Sequence, residues 1–137
     1  MCFLGLILFV PTALADNSVK RVGGSNRYGT AVQISKQMYS TASTAVIVGG
    51  SSYADAISAA PLAYQKNAPL LYTNSDKLSY ETKTRLKEMQ TKNVIIVGGT
   101  PAVSSNTANQ IKSLVISINR IAGSNRYDTA ARVAKAM

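Results

Sequence analysis

One stretch of the chain occurs twice, a domain's length apart. Residues 21–36, RVGGSNRYGTAVQISK, face residues 120–135, RIAGSNRYDTAARVAK. Arg21 aligns with Arg120, and the Ser-Asn-Arg-Tyr, Thr-Ala and Lys positions coincide. A match this long does not arise by chance. The separation exceeds a solenoid unit, which runs to about 20–50 residues, and equals a whole domain. The chain therefore reads as a first module, residues 16–119, followed by the start of a second, residues 120–137. The second copy has no further sheet-forming sequence after it. Its helix is expected to cover its apolar face only by borrowing the first module's surface.

A fainter repeat lies inside the module. AVIVGGSSYAD (45–55) resembles VIIVGGTPAVS (94–104). Each is a short β-branched run closed by Gly-Gly, the pattern of a strand buried on both faces of a parallel sheet. PLLYT (69–73) and LVISINRIA (114–122) read as further strands. Between them lie helical patterns. Residues 27–38 place Ala31, Ile34, Ser35 and Met38 on one face, with Ser25 or Asn26 as N-cap. SYADAISAAPLA (52–63) is a run of small residues that lets a helix approach its neighbours closely. Residues 80–91 carry Leu86 and Met89 on a charged surface, with Ser79 as cap, and residues 104–114 align Ala108, Ile111 and Leu114. The alternation, opening and closing on a strand, predicts an α/β fold. Its βα units build a mainly parallel sheet with helices on both faces, a Rossmann-like three-layer module.

The first fifteen residues, MCFLGLILFVPTALA, are apolar except for Thr12 and end in Ala-Leu-Ala before Asp16. That is the core and cleavage site of a secretory signal peptide. A retained membrane-anchoring helix is the alternative, although the run is short for a span, which takes about 20 residues. No Lys or Arg precedes the run, so the natural start is expected upstream of Met1. The single cysteine, Cys2, lies in this segment, so the exported part has no disulfide and depends on its core. Secretion to a bacterial surface is the expected location, with no stable membrane span after cleavage.

The chain has no histidine, and 15 Lys+Arg stand against 6 Asp+Glu for a net charge of +9. Without histidine there is no Ser–His or Cys–His pair, and the commonest general base and metal ligand are missing. An exported basic domain meets polyanions: anionic wall polymers, lipid head groups or nucleic acid. Nucleic acid is not expected, because export removes the chain from it and no interleaved basic–aromatic motif is present.

Three groups of residues are candidates for binding. The turns Gly49-Gly50-Ser51-Ser52 and Gly98-Gly99-Thr100-Pro101 follow strand C-termini, where ligands of open α/β sheets collect. Their glycines either admit an anion to free N–H groups or simply make tight turns. Neither turn matches a P-loop or the G-x-G-x-x-G fingerprint, so no nucleotide cofactor is expected. Arg27 and Arg126 follow a capping Ser-Asn, where a guanidinium takes a phosphate or carboxylate, or pairs with a carboxylate such as Asp55. Tyr28 either stacks on a sugar or seals its helix onto the sheet. Asp55 is the lone acid of its stretch, a cap or ion-pair partner more than a catalyst, since no second acid or base stands at motif spacing. No metal site and no catalytic residue are assigned. A wall-associated hydrolase or phosphoester-processing enzyme remains the alternative reading.

Taken together, GSNRYGTA, ADAISAAPLA, VIIVGG and the second GSNRYDTA, in that order, resemble the cell-wall-binding repeat 2 family of clostridia and related Gram-positive bacteria. The resemblance covers residues 19–137. It implies a Toprim-like fold, three tandem repeats packed with threefold-like symmetry, and non-covalent anchoring to an anionic, teichoic-acid-like polymer, as on S-layer-associated surface proteins. The partners it implies are that polymer and neighbouring repeats of the same or an identical chain. The proline segment associated with contacts between repeats is APLLYT here, with Tyr72 at an ordinarily aliphatic or small position.

Overall fold

The computed structural model describes residues 18–137; the signal segment 1–15 and Cys2 lie outside the described residues. The chain runs α1 (Arg27–Met38), β1 (Thr44–Gly49), α2 (Tyr53–Gln65), β2 (Leu70–Thr73), α3 (Tyr80–Glu88), β3 (Asn93–Val97), α4 (Ser105–Lys112), β4 (Ser117–Ile121) and α5 (Arg126–Ala136). The four strands form one parallel sheet in the order β2-β1-β3-β4.

Period-two alternation sends successive side chains of a strand to opposite faces, and here both faces are covered. Ala45 and Ile47 of β1, with Val94 and Ile96 of β3, join Ala31, Val32, Leu86 and Ile111 in one core. Val46, Val48 and Val97 join Ala56, Ala59, Leu62 and Val133 in the other. Helices α1, α3 and α4 therefore form one outer layer, and α2 and α5 the other. This double burial is why the β1 and β3 sequences are apolar without interruption. The small side chains of α2 serve close packing: Ala56, Ala59 and Ala63 are buried against the sheet and the neighbouring helix.

Four expectations need correction. The alternation opens on a helix, and residues 18–24 form no strand. A strand needs a neighbour to take its hydrogen bonds, and this segment pairs with none of the four strands. Strand β4 is shorter than residues 114–122, because Leu114 closes the turn after α4 by donating its N–H to Ile111 O. Ser79 holds the N-cap position of α3 but does not cap it; its hydroxyl accepts from Asn74 N at 3.0 Å. Finally, α1 buries Ala31, Val32 and Ser35, whereas Ile34 is 48% and Met38 68% exposed. The buried face keeps Ala31 and Ser35 of the expected one but is rotated toward Val32 and away from Ile34 and Met38.

Charge is also used inside the fold. Arg85 of α3, on the helix read as charged surface, is buried. Its Nε donates to Ser35 Oγ at 2.6 Å and its Nη2 to the carbonyls of Ser35 and Tyr39, while Glu88 lies 3.2 Å from Nη1. A cation at the end of α1 satisfies the Tyr39 carbonyl, shares the Ser35 carbonyl with the Tyr39 N–H, and opposes the negative end of the helix dipole.

Candidate functional site

The repeated motif is first a capping loop. In α1, Asn26 Oδ1 accepts from Gly29 N at 2.8 Å; in α5, Asn125 Oδ1 accepts from Tyr127 N at 3.0 Å and Asp128 N at 2.9 Å. Asn26, not Ser25, is the cap. The threonine one turn on closes each loop: Thr30 Oγ1 accepts from Gly24 N, and Thr129 Oγ1 from Gly123 N. The Gly-Ser-Asn-Arg-Tyr-x-Thr spacing is thus explained by hydrogen bonds local to a helix start.

Arg27 and Tyr28 then tie α1 to the first Gly-Gly turn. The Arg27 guanidinium donates to Gly50 O, and the Tyr28 hydroxyl donates to Asn74 Oδ1. A Cβ on Gly50 would lie 2.7 Å from the Tyr28 ring, so only glycine fits beneath it. Asp55 sits at the first turn of α2, buried, and accepts from Ser52 Oγ. Gly98 has φ +113°, and a Cβ there would meet Asp55 Oδ2 at 2.6 Å. Backbone conformation and the carboxylate both exclude a side chain at that position. Asp55 and Arg27 each have these other partners, and the salt bridges found among the described residues join neither.

A cleft of about 440 Å³ lies at the carboxyl ends of the strands. Its walls are the start of α2 (Ser51 to Asp55), Ser75 after β2, the β3–α4 turn (Gly99, Pro101, Ala102) and the second capping loop (Gly123 to Arg126, with Thr129). The chain crosses from β1 to β2 on one side and to β3 on the other, so this is the sheet's switch point, where ligands of open α/β sheets bind. Of the sequence candidates, Ser51, Asp55 and Gly99 line the cleft. Gly49, Gly50 and Gly98 do not; each is packed against Ala102, Tyr28 or Asp55. Thr100 is exposed outside it, and Arg27 and Tyr28 stand on the α1 side of the sheet. Among the lining residues Arg126 is the one cation and Asp55 the one acid. Ser52, in the first candidate turn, also lines the cleft, whereas sequence reasoning missed Ser75, which carries no motif and reaches the cleft only through the fold.

Three charged groups hold the loops in place. Asp128 is held below the usual carboxylate range by the Ser124 N–H and by Arg132. Glu81 is lowered by the Asn26 amide, which binds it at 2.8 Å and so links the α1 cap to α3. Burial lowers Arg120 from its ordinary value. Its guanidinium donates to Gly98 O at 2.7 Å and Val103 O at 2.8 Å, fastening β4 to the β3–α4 turn.

The profile of the family described as cell wall binding domain 2 matches residues 21–108. The chain belongs to that family. It is 98% identical over 137 residues to the N-acetylmuramoyl-L-alanine amidase LytC of Bacillus subtilis (strain 168), covering 100% of this chain and 28% of that protein. It is 33% identical over 117 residues to the amidase enhancer of the same strain, covering 85% of this chain and 16% of the enhancer. Among solved structures, Cwp6 from Clostridium difficile superposes with TM-score 0.80 at 36% identity over 90% of this chain and 22% of Cwp6. Cwp8 superposes with TM-score 0.78 at 33% identity over 83% of this chain and 20% of Cwp8. The chain spans less than a third of the length of either curated relative. As a cell wall binding domain 2 chain it is a wall-binding module of the extracellular surface, with the α/β fold that the alternation implied. No helix of the described residues is long and apolar enough to cross a membrane.

Proposed function

We propose that the module binds an anionic wall polymer in the cleft at the switch point and catalyses nothing on it. The observation that carries this reading is the cleft's composition. One guanidinium, Arg126, stands beside serine hydroxyls and an exposed glycine turn, opposite one carboxylate, Asp55. Arg126 takes a phosphate or carboxylate through paired hydrogen bonds. Asp55 accepts from a hydroxyl or amine of the same repeat unit. Asp55 and Arg126 are the cleft's only charged residues, and an arginine does not deprotonate, so an acid–base pair is not assembled there. Arg27, Tyr28 and the inner glycines hold the turns that shape the cleft, and Ser51 and Gly99 line it.

The cleft is closed by the start of the second copy, so each site in a tandem array would be shared by two consecutive repeats. Such repeats bind weakly one by one and firmly together, because later contacts are intramolecular. In a longer protein the array would hold an effector at the wall, as an amidase such as the LytC relative requires. The test is retention of the chain on purified walls over a salt series. Retention is expected to fall as salt screens the exposed charges, and to fall at least fivefold on walls stripped of anionic polymer. Equal retention on stripped walls overturns the proposal.

A further inference from the structure

We infer that the cleft selects polymer units that carry a free amine as well as a phosphate, with Arg126 holding the anion and Asp55 the ammonium. The inference rests on the reading of the cleft as the polymer site and narrows what that site takes.

Asp55 is 7% exposed, in the first turn of α2, in a chain of net charge +9. A buried carboxylate is costly unless it is paired. All 15 Lys and Arg residues lie in the described part of the chain, and none stands within salt-bridge distance of it. Its partner is a hydroxyl: Ser52 Oγ donates to Oδ2. The same oxygen lies against Gly98, where an added Cβ would meet it at 2.6 Å. One side of the carboxylate is thus fixed between the start of α2 and the β3–α4 turn. The other oxygen, Oδ1, receives no hydrogen bond from a described residue. Among the described residues no buried side-chain oxygen or nitrogen lacks a partner, so solvent reaches Oδ1, and the residue lines the cleft. The fold therefore holds a positioned carboxylate with one oxygen open to a ligand.

A site for phosphate alone has no use for this group. A carboxylate in the same cleft as a bound phosphate repels it, and more strongly where water is displaced. A ligand that brings its own cation removes the repulsion and completes the charge-assisted bond that the fold leaves unmade. Arg126 is the cleft's other charged group and stands beyond salt-bridge distance of Asp55, so each is available to one end of the same unit. The volume of about 440 Å³ falls within the roughly 300–1,000 Å³ of small-ligand sites. The ligand class is a phosphodiester chain with a free ammonium on the repeat unit.

The test is calorimetric titration of the full chain, at one salt concentration, with three soluble glycerol phosphate oligomers. One is unesterified, one carries alanyl esters, and one carries lactyl esters, in which a hydroxyl replaces the ammonium. Long-range attraction to a basic chain ranks the alanyl oligomer last, because each ammonium cancels a phosphate charge. The inference ranks it first, with binding about tenfold tighter than that of the lactyl oligomer. Asp55→Asn keeps an acceptor for Ser52 and should erase that preference. An alanyl oligomer that binds no better than the lactyl one, or a preference that survives Asp55→Asn in a folded chain, overturns the inference. Where Asp55→Asn does not fold, the order of the three oligomers on the unmodified chain decides alone. Equal binding of all three removes the amine preference and leaves the polymer-site reading standing; binding of none removes both.

Discussion

Helices α1 and α5 share a sequence and differ in what they touch. Both start with the same cap geometry, φ −150° and ψ 178° at Asn26 against φ −151° and ψ 177° at Asn125. Beyond the cap they diverge. In α1 the arginine donates to Gly50 O and the tyrosine covers that glycine; in α5 Arg126 lines the cleft and Tyr127 is 80% exposed. The last turn of α1 is held by Arg85, whereas α5 reaches its end without a following α3 in the described chain. Local sequence sets where such a helix begins. Which face is buried is set by the strands and helices that come before and after it.

The largest effect should fall on α1 alone. Arg85→Ala removes a buried cation from three oxygens of α1 and the loop after it, and is expected to cost about 3 kcal/mol in urea unfolding. The α5 amides should keep their exchange rates. Next is the matched pair Val133→Ala and Ile34→Ala. Truncating the buried residue should cost about 2 kcal/mol, and truncating its exposed counterpart less than about 0.5 kcal/mol. Equal costs would show that the two faces are not used as described. Replacing the caps should level the comparison: Asn26→Ala and Asn125→Ala are each expected to cost about 1 kcal/mol of helix stability, read as faster exchange in the first turn.

Acid gives the smallest effect. Glu81 and Asp128 are lowered in the folded chain, so their contribution is present above the ordinary carboxylate value and is lost as pH falls through the folded one. From about pH 5 to pH 3 the Asn26–Glu81 link and the Asp128 hold on Ser124 should weaken. Exchange in the first turns of both helices should then quicken relative to the sheet, and neutralising variants Glu81→Gln and Asp128→Asn should flatten that dependence.

Much of this was legible before the fold was known. The β-branched runs ending in Gly-Gly mark β1 and β3 because a strand covered on both faces needs no polar side. The Ser-Asn before Arg27 marks the start of α1 because that cap is local. The exposed Ile34 was not legible, because helical spacing alone does not say which flank of α1 the sheet and α3 cover, and they cover Val32 instead. Nor was the buried Arg85, whose place among lysines and glutamates resembles solvent-facing charge until α1 is laid over it. Asp55 and Gly98 meet across two strands, and no spacing in the sequence records that contact. The cleft itself joins four segments, from Ser51 to Arg126; the two Gly-Gly turns and the second capping loop were recognisable in the sequence, but Ser75 and the meeting of all four were not.

The central claim is that the second copy's arginine meets the polymer while the first copy's arginine braces the fold. Retention of Arg126→Ala and Arg27→Ala chains on native walls, at one salt concentration and with folding checked by thermal unfolding, tests it directly. A lost hydrogen bond to a charged group is worth about 1.5–3 kcal/mol. Arg126→Ala should therefore weaken retention by about tenfold or more with its melting temperature unchanged. Arg27→Ala should lower the melting temperature while the folded fraction is retained as before. Undiminished retention of the Arg126→Ala chain would contradict the account.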